Sequence, residues 1–302
     1  MKIAVTGASG AIGSQLVPAL RADGHDVLRL VRRTPRTADE HRWDPEHRRI
    51  DPTVLADVDA VINLAGEPIR PRPWTKAYRQ RLLQSRVDST TTISEALAAA
   101  ALVDPVRPRV LLSGSAVGFY GDTGDATITE NSPPGDDFLA RVCVQWEACT
   151  APAARAGVRV ALLRTGLVIG RGVLLMQVLG LVFRAGLGGR LGSGRQFWPW
   201  ISLTDEVAAI VHLLHADVDG PVNLTGPAPV TNEEFTKTLG RILRRPTVLA
   251  VPRLALSLAL GEFGRSSVLG GQRAVSTKLS ASGFRFAHTD LESALRSALA
   301  SR

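Results

Sequence analysis

Only two cysteines, Cys143 and Cys149, occur in the 302 residues. They stand six positions apart in a stretch of helical patterning, on different faces, so neither a disulfide framework nor a CxxC site is possible. Lysine is almost as scarce: Lys2, Lys76, Lys237 and Lys278 are the full set, which excludes a lysine-rich tail. Tyrosine is represented by Tyr78 and Tyr120 alone. Long apolar runs are missing as well, since the most apolar late stretch, Leu254 to Leu260, is too short to span a bilayer and follows Pro252-Arg253. The chain opens MKIAVTGASG, straight into a strand with no leader or cleavage site, and the expected compartment is the cytoplasm. The six histidines show no metal-ligand spacing in company with carboxylates or cysteines, so no metal is expected.

The net charge of +8 rests on arginines scattered along the chain, neither massed in a tail nor interleaved with aromatics. An Arg- and Ala-rich composition accounts for it; nucleic acid is not an expected partner, and a basic pocket for an anionic small molecule stays open. With 45% hydrophobic and 21% charged residues the chain is globular.

Apolar strands alternate with helical patterns through the first half. Ile3-Ala4-Val5 reads as a buried strand, and Ile12, Leu16 and Leu20 follow at helical spacing until Gly24. Val27 to Val31, Val58 to Leu64, Val110 to Leu112 and Val158 to Leu163 read as further strands, with helices over Trp74 to Ala101 and roughly Asp137 to Ala156 between them. The segment after Val31 is polar and irregular. This alternation predicts an α/β fold, a Rossmann-like doubly wound parallel sheet. After residue 168 the pattern changes to glycine-rich stretches and short helices, among them Leu174 to Phe183 and one from Thr204 to about His215. Thr231-Asn232-Glu233-Glu234 has the form of a capping box. The expected division is a nucleotide-binding domain over 1–168, with 197–226 returning to it. A smaller, discontinuous C-terminal substrate lobe takes 169–196 and 227–302.

Gly7, Gly10 and Gly13 fall between the first strand and the first helix. The first glycine permits the tight turn, the second lets the backbone approach a pyrophosphate, and the third lets helix pack on strand. N–H groups of the turn and the helix start, from Ser9, Ala11 and Ile12 onward, are then available to hold phosphates. The second strand ends in Arg32-Arg33, with no Asp or Glu between Asp26 and Asp39. An acidic residue there would favour NAD, whereas arginine accommodates the 2′-phosphate, so NADP(H) is the expected cofactor.

These features are similar to the short-chain dehydrogenases/reductases of the extended, epimerase-like branch. The resemblance sharpens at INLAGEPI (Ile62 to Ile69), Trp74, SRVDST (Ser85 to Thr90), SGSAVGFYGD (Ser113 to Asp122), LLRTGLVIG (Leu162 to Gly170), GSGRQFWPWISLTDE (Gly192 to Glu206), GPVN (Gly220 to Asn223) and LGGQRAVSTKLSASGF (Leu269 to Phe284). Together they resemble the atypical group labelled epimerase family proteins, NADP-dependent oxidoreductases with a C-terminal segment of unknown function. The resemblance implies that Arg32 meets the 2′-phosphate and that Leu64, Ala65 and Gly66 lie beside the adenosine. It further implies Arg86 near the phosphates, Thr165, Gly166, Leu167 and Val168 against the nicotinamide, and Ser113, Ser115 and Tyr120 lining the nicotinamide end.

The branch at large transfers hydride with a Tyr-x-x-x-Lys pair, in which the lysine lowers the tyrosine pKa and a serine orients the carbonyl. Four residues beyond the two tyrosines stand Leu82 and Gly124, and no lysine lies between residues 77 and 236. The helix that should carry the pair reads Phe138-Leu139-Ala140-Arg141-Val142-Cys143, with Cys143 near the place of the lysine. The chemistry is therefore assigned to Ser115, with Tyr120 or Glu67 as replacement proton carriers. Arg195, Gln196, Trp198 and Trp200 are candidates for a substrate pocket, with packing between lobes as the alternative. The reading is an NADP(H)-binding oxidoreductase of epimerase-like architecture acting on a small molecule. The alternatives are a nucleotide-sugar epimerase or dehydratase, and a non-catalytic NADP(H)-binding protein. The oligomeric state is left open.

Overall fold

A computed structural model describes residues 1–107 and 109–300. Its centre is an eight-stranded sheet formed by β1 (Lys2–Thr6), β2 (Asp26–Val31), β3 (Glu40–Asp44), β4 (Arg49–Ile50), β5 (Ala60–Asn63), β6 (Val110–Ala116), β7 (Arg159–Thr165) and β8 (Gly220–Leu224). The order is β8-β7-β6-β5-β1-β2-β3-β4, parallel throughout except for the β3–β4 edge hairpin. The chain winds outward from β1 to β3, then crosses back to β5 on the other side of β1. That reversal opens a crevice at the carboxyl ends of β1 and β5, where open α/β sheets bind ligands.

The apolar strands have no polar face because both faces are covered. Ile3 and Val5 point to one side, against Leu16 and Leu20 of α1 (Gly13–Ala22) and Ile210 and Leu213 of α5 (Leu203–His215). Ala4 points to the other, against Ile93 and Leu97 of α2 (Lys76–Val103). The remaining long helices are α3 (Phe138–Ala148), α4 (Leu174–Arg184) and α6 (Asn232–Leu243). The expected helix over Asp137 to Ala156 divides at Cys149-Thr150 into α3 and a short helix Ala151–Arg155. Pro152 sits in the first turn of the second piece, where its missing N–H costs nothing. The polar segment after Val31 also holds more order than its pattern predicts. β3 carries only Glu40 and Trp43 as buried residues, too few to produce an alternating apolar signal.

A second apolar core gathers Met176, Phe183, Phe235, Leu239, Leu291 and Leu295 together with Trp198 and Trp200. The capping box at Thr231 forms as expected, its hydroxyl accepting from the Glu234 N–H while the Glu234 carboxylate accepts from the Thr231 N–H. Leu279 is buried in the main core, with Phe284 and Phe286 packed beside it. Trp74 is the hub of an aromatic cluster: its ring meets those of Tyr78, Phe138 and Phe263 in tilted or edge-on contacts, and Phe263 ends the helix Arg253–Phe263. No described helix is long and apolar enough to cross a membrane.

Candidate functional site

The glycine turn closes tightly on the crevice. Gly7 has φ +66°, and a Cβ there would stand 2.6 Å from the Leu64 carbonyl oxygen. A Cβ on Gly13 would lie 2.3 Å from the Gly7 carbonyl oxygen, so only glycine lets α1 approach β1 this closely. The Gly10 N–H donates to Gly7 O, but the N–H groups of Ser9, Ala11 and Ile12 have no acceptor among the described residues. Ser9, Gly10 and Ala11 are exposed at the positive end of α1. Three unpaired donors on a dipole-positive helix start suit a diphosphate. Beneath the turn, the Thr6 hydroxyl donates to Asn63 Oδ1 and accepts from the N–H groups of Leu64 and Ala65. Asn63 in turn donates to Thr90, and so does the Trp146 indole. This buried lattice fixes the β1 and β5 ends against one another.

At the end of β2 the two arginines part company. Arg33 makes a bidentate pair with Glu40 at 2.6 and 2.7 Å, and the Glu40 carboxyl, bonded also by the Arg36 N–H, is held down to about 2. Arg32 is exposed and makes no hydrogen bond or ion pair among the described residues. Its guanidinium is therefore unpaired among the described residues, whereas Arg33 is committed to Glu40. Arg86, on α2, lies with its guanidinium 5.0 Å from the centre of the Trp146 ring. Its Nη1 donates to the Glu67 and Leu82 carbonyl oxygens, and burial lowers its pKa, with Cys143, Tyr78 and Glu67 opposing that shift. A Cβ on Gly66 would touch the same side chain at 3.4 Å. Across the crevice, the half-buried Thr165, Gly166, Leu167 and Val168 form the opposite wall. The Gly166 Cβ position lies 2.1 Å from the Pro199 carbonyl oxygen, which pins this loop to the strand Trp200–Ser202.

The hydroxyls expected at the nicotinamide end are drawn into the protein. Ser113 is fully enclosed, its hydroxyl without a partner among the described residues. Ser115, 5% exposed, donates to Glu147 Oε1 at 2.6 Å. Glu147 is also gripped by Arg164 Nε and Nη2 at 2.8 and 2.9 Å, a pair with both side chains buried. Arg164 lies 3.5 Å above the centre of the Phe119 ring and donates to the Tyr120 hydroxyl, which itself donates to Asn223 Oδ1. Burial raises the Tyr120 pKa against the pull of Arg164. Ser115 and Tyr120 are thus two ends of one interior chain of bonds, Ser115–Glu147–Arg164–Tyr120–Asn223. That chain was not visible in sequence: Arg164 and Asn223 lie inside LLRTGLVIG and GPVN, but those motifs do not say which side chains meet, and Glu147 lies in none of them.

Glu67 differs. It is half-buried at the crevice mouth, and its carboxylate makes no hydrogen bond or ion pair among the described residues. Cys143, at the place of the absent lysine, is sealed, and burial pushes its thiol up to about 12, so it is not a nucleophile. Trp198 and Trp200 are buried in the second core, and Gln196 ties Leu191 and Val268 by their carbonyl oxygens. Arg195 is exposed. A buried carboxyl that sequence reading passed over is Glu206, on α5. Its Oε1 accepts from Thr165, its Oε2 has no partner among the described residues, and burial pushes it up to about 8.

Known proteins resemble this chain over its whole length. An epimerase family protein of Mycobacterium bovis is 47% identical over 294 residues, covering 97% of this chain and 96% of that protein. The epimerase family protein YfhF of Bacillus subtilis is 36% identical, covering 100% of this chain and 99% of its own. A crystal structure of human epimerase family protein SDR39U1 with NADPH superposes with a TM-score of 0.85 at 31% identity, covering 99% of each chain. Residues 251–298 match a domain of unknown function, DUF1731. Residues 3–225 match the NAD dependent epimerase/dehydratase family, and the chain belongs to that family.

Proposed function

We propose that this protein is an NADP(H)-dependent oxidoreductase of a small-molecule substrate that works without the Tyr-x-x-x-Lys pair. The observation that carries the cofactor half of the reading is the row of unpaired N–H groups on Ser9, Ala11 and Ile12, over a turn that only glycine can form. In this reading those groups hold the diphosphate and Arg32 holds the 2′-phosphate. Leu64, Ala65 and Gly66 lie along the adenosine side, and the Thr165 to Val168 wall faces the nicotinamide. The relative that has been crystallised with NADPH supports the choice of cofactor. When bound, the cofactor supplies a hydride, or accepts one, at its nicotinamide ring. The chain's own part is to position it, to exclude water and to manage one proton. Among the sequence candidates, Glu67 is the one whose ionisable group is free at the crevice mouth, so the proton is assigned to it. Ser115 and Tyr120 act through the Glu147–Arg164 pair, as positioning residues that hold β6 and β7 in register around the site.

The deciding test is titration of NADPH by fluorescence against the parent and Gly10→Val. A Cβ at Gly10 would stand 3.2 Å from the Gly7 carbonyl oxygen, on the exposed side of the turn, where valine crowds a ligand without entering the core. Loss of binding in a folded variant supports the site; undiminished affinity contradicts it.

A second reading is favoured by one specific observation, the burial of both hydroxyls. If no side chain relays a proton, the protein is a non-catalytic NADP(H)-binding protein. Loss of a positioned acid costs about 10²–10⁴-fold in rate. Slow hydride transfer to a carbonyl panel that falls further in Glu67→Gln supports the enzyme. Tight cofactor binding with no transfer at all supports the second reading.

A further inference from the structure

Opposite the crevice, at the amino ends of the strands, three side chains converge that no spacing in the sequence connects. α1 ends at Ala22, and Gly24, at φ +81°, reverses the chain into β2. The reversal sets Asp23 and His25 on one side of the turn. His215, the last residue of α5, arrives from the neighbouring helix with its ring 5.6 Å from that of His25 at 28° between planes. One ligand atom from each of Asp23, His25 and His215 lies within 4.8 Å of the others.

We propose that Asp23, His25 and His215 form a binding site for a divalent transition-metal ion of the zinc class. Two imidazoles and one carboxylate are the donor set such ions prefer, and a water can complete four-coordination. The independent sign of a missing ligand is His25. Its side chain is 7% exposed, yet its Nε2 has no hydrogen-bond partner among the described residues. Asp23 Oδ2 stands 3.1 Å from that nitrogen, outside hydrogen-bonding geometry. A buried ring nitrogen left without a bond is costly, and a metal ion would satisfy it. Nδ1 of the same ring lies 3.3 Å from the backbone nitrogen of Met1, on the opposite side of the ring from Nε2. Metal–ligand bonds of about 2.0–2.2 Å place tetrahedral donors roughly 3.3–3.5 Å apart. The Asp23–His25 pair, at 3.1 Å, is a few tenths of an ångström inside that spacing, and the exposed Asp23 and His215 side chains are free to adjust.

The position favours a cation in a second way. Both α1 and α5 present their carboxyl ends here, where the helix dipoles are negative. The same two helices reach the crevice at their amino ends, through the glycine turn and through Glu206. An ion here would staple α1 to α5 across the main core, well away from the chemistry. The site is a clamp, independent of the cofactor reading.

The test uses the full chain after chelator treatment. Co2+ is titrated with detection of its visible absorption bands, Zn2+ is titrated by calorimetry, and thermal unfolding is followed with and without Zn2+. The expected result is one equivalent bound, displacement of Co2+ by Zn2+, and a higher unfolding midpoint with metal. His215→Ala and Asp23→Asn, both at exposed positions that leave the core intact, should each weaken binding at least tenfold and abolish the thermal shift. The proposal is overturned by the absence of saturable binding in the parent, and equally by one equivalent bound with unchanged affinity in both variants.

Discussion

At the scale of single residues, the site is governed by which polar groups the protein keeps for itself. Arg33 and Arg32 are adjacent and chemically identical, yet Glu40 takes one and leaves the other. The same sorting governs the hydroxyls. Tyr120→Phe would leave Asn223 Oδ1 and Arg164 Nη1 each short of a bond in the interior, a loss of about 1–3 kcal/mol in stability. Chemical denaturation should register that loss while NADPH affinity stays unchanged. A large drop in turnover with no loss of stability would instead make Tyr120 catalytic. Glu206 makes the complementary prediction. Its folded-state pKa of about 8 lies above the ordinary 4.5, with burial the main cause. The folded protein therefore holds a proton that the unfolded chain releases between these values. Stability from this group is full below about pH 4.5 and declines as pH rises toward 8, by on the order of a few kcal/mol. Glu206→Gln, which can still accept from Thr165, should flatten that decline. Unfolding curves at pH 5 and pH 8 for both proteins check it; parallel declines would contradict it.

At the scale of elements, legibility tracked how many buried residues an element carries. β1, β5, β6 and β7 are covered on both faces, so their apolar runs stood out. α2 was placed nearly to its ends, and the capping box located the start of α6. β3 and β4 were missed because two buried residues in a polar strand leave no period to read. The break between α3 and the next short helix was also missed, since Pro152 is as compatible with a helix start as with an interruption. The cofactor turn was legible for a different reason. Its glycines answer a local steric demand, the close approach of Gly13 to the Gly7 carbonyl, which no other residue satisfies. What pattern could not show was the Glu147–Arg164 pair, because it joins a helix to a strand through tertiary packing that no local spacing encodes. Nor could it show which of Ser113, Ser115 and Tyr120 would be enclosed, because enclosure is decided by neighbours. A buried pair of this kind is expensive to break: Arg164→Ala would strand a carboxylate and cost about 3–5 kcal/mol. A loss of that size in the unfolding free energy from urea denaturation is expected, and a surface-like change below about 0.5 kcal/mol would contradict it.

At the scale of the whole molecule, a doubly wound sheet supplies the crevice, and Trp74 on the sheet side meets Phe263 of the C-terminal segment. The account's central claim is that this molecule takes its cofactor by the 2′-phosphate, through Arg32. A charge-assisted bond of that kind contributes roughly 1.5–3 kcal/mol, or about 10- to 150-fold in affinity. The most direct measurement is fluorescence titration of NADPH and NADH against the parent and Arg32→Ala at two salt concentrations. The account predicts that NADPH binds the parent at least about tenfold more tightly than NADH, with a gap that narrows as salt rises. It also predicts that Arg32→Ala weakens NADPH and leaves NADH nearly untouched. Equal affinities for the two cofactors in the parent would contradict it.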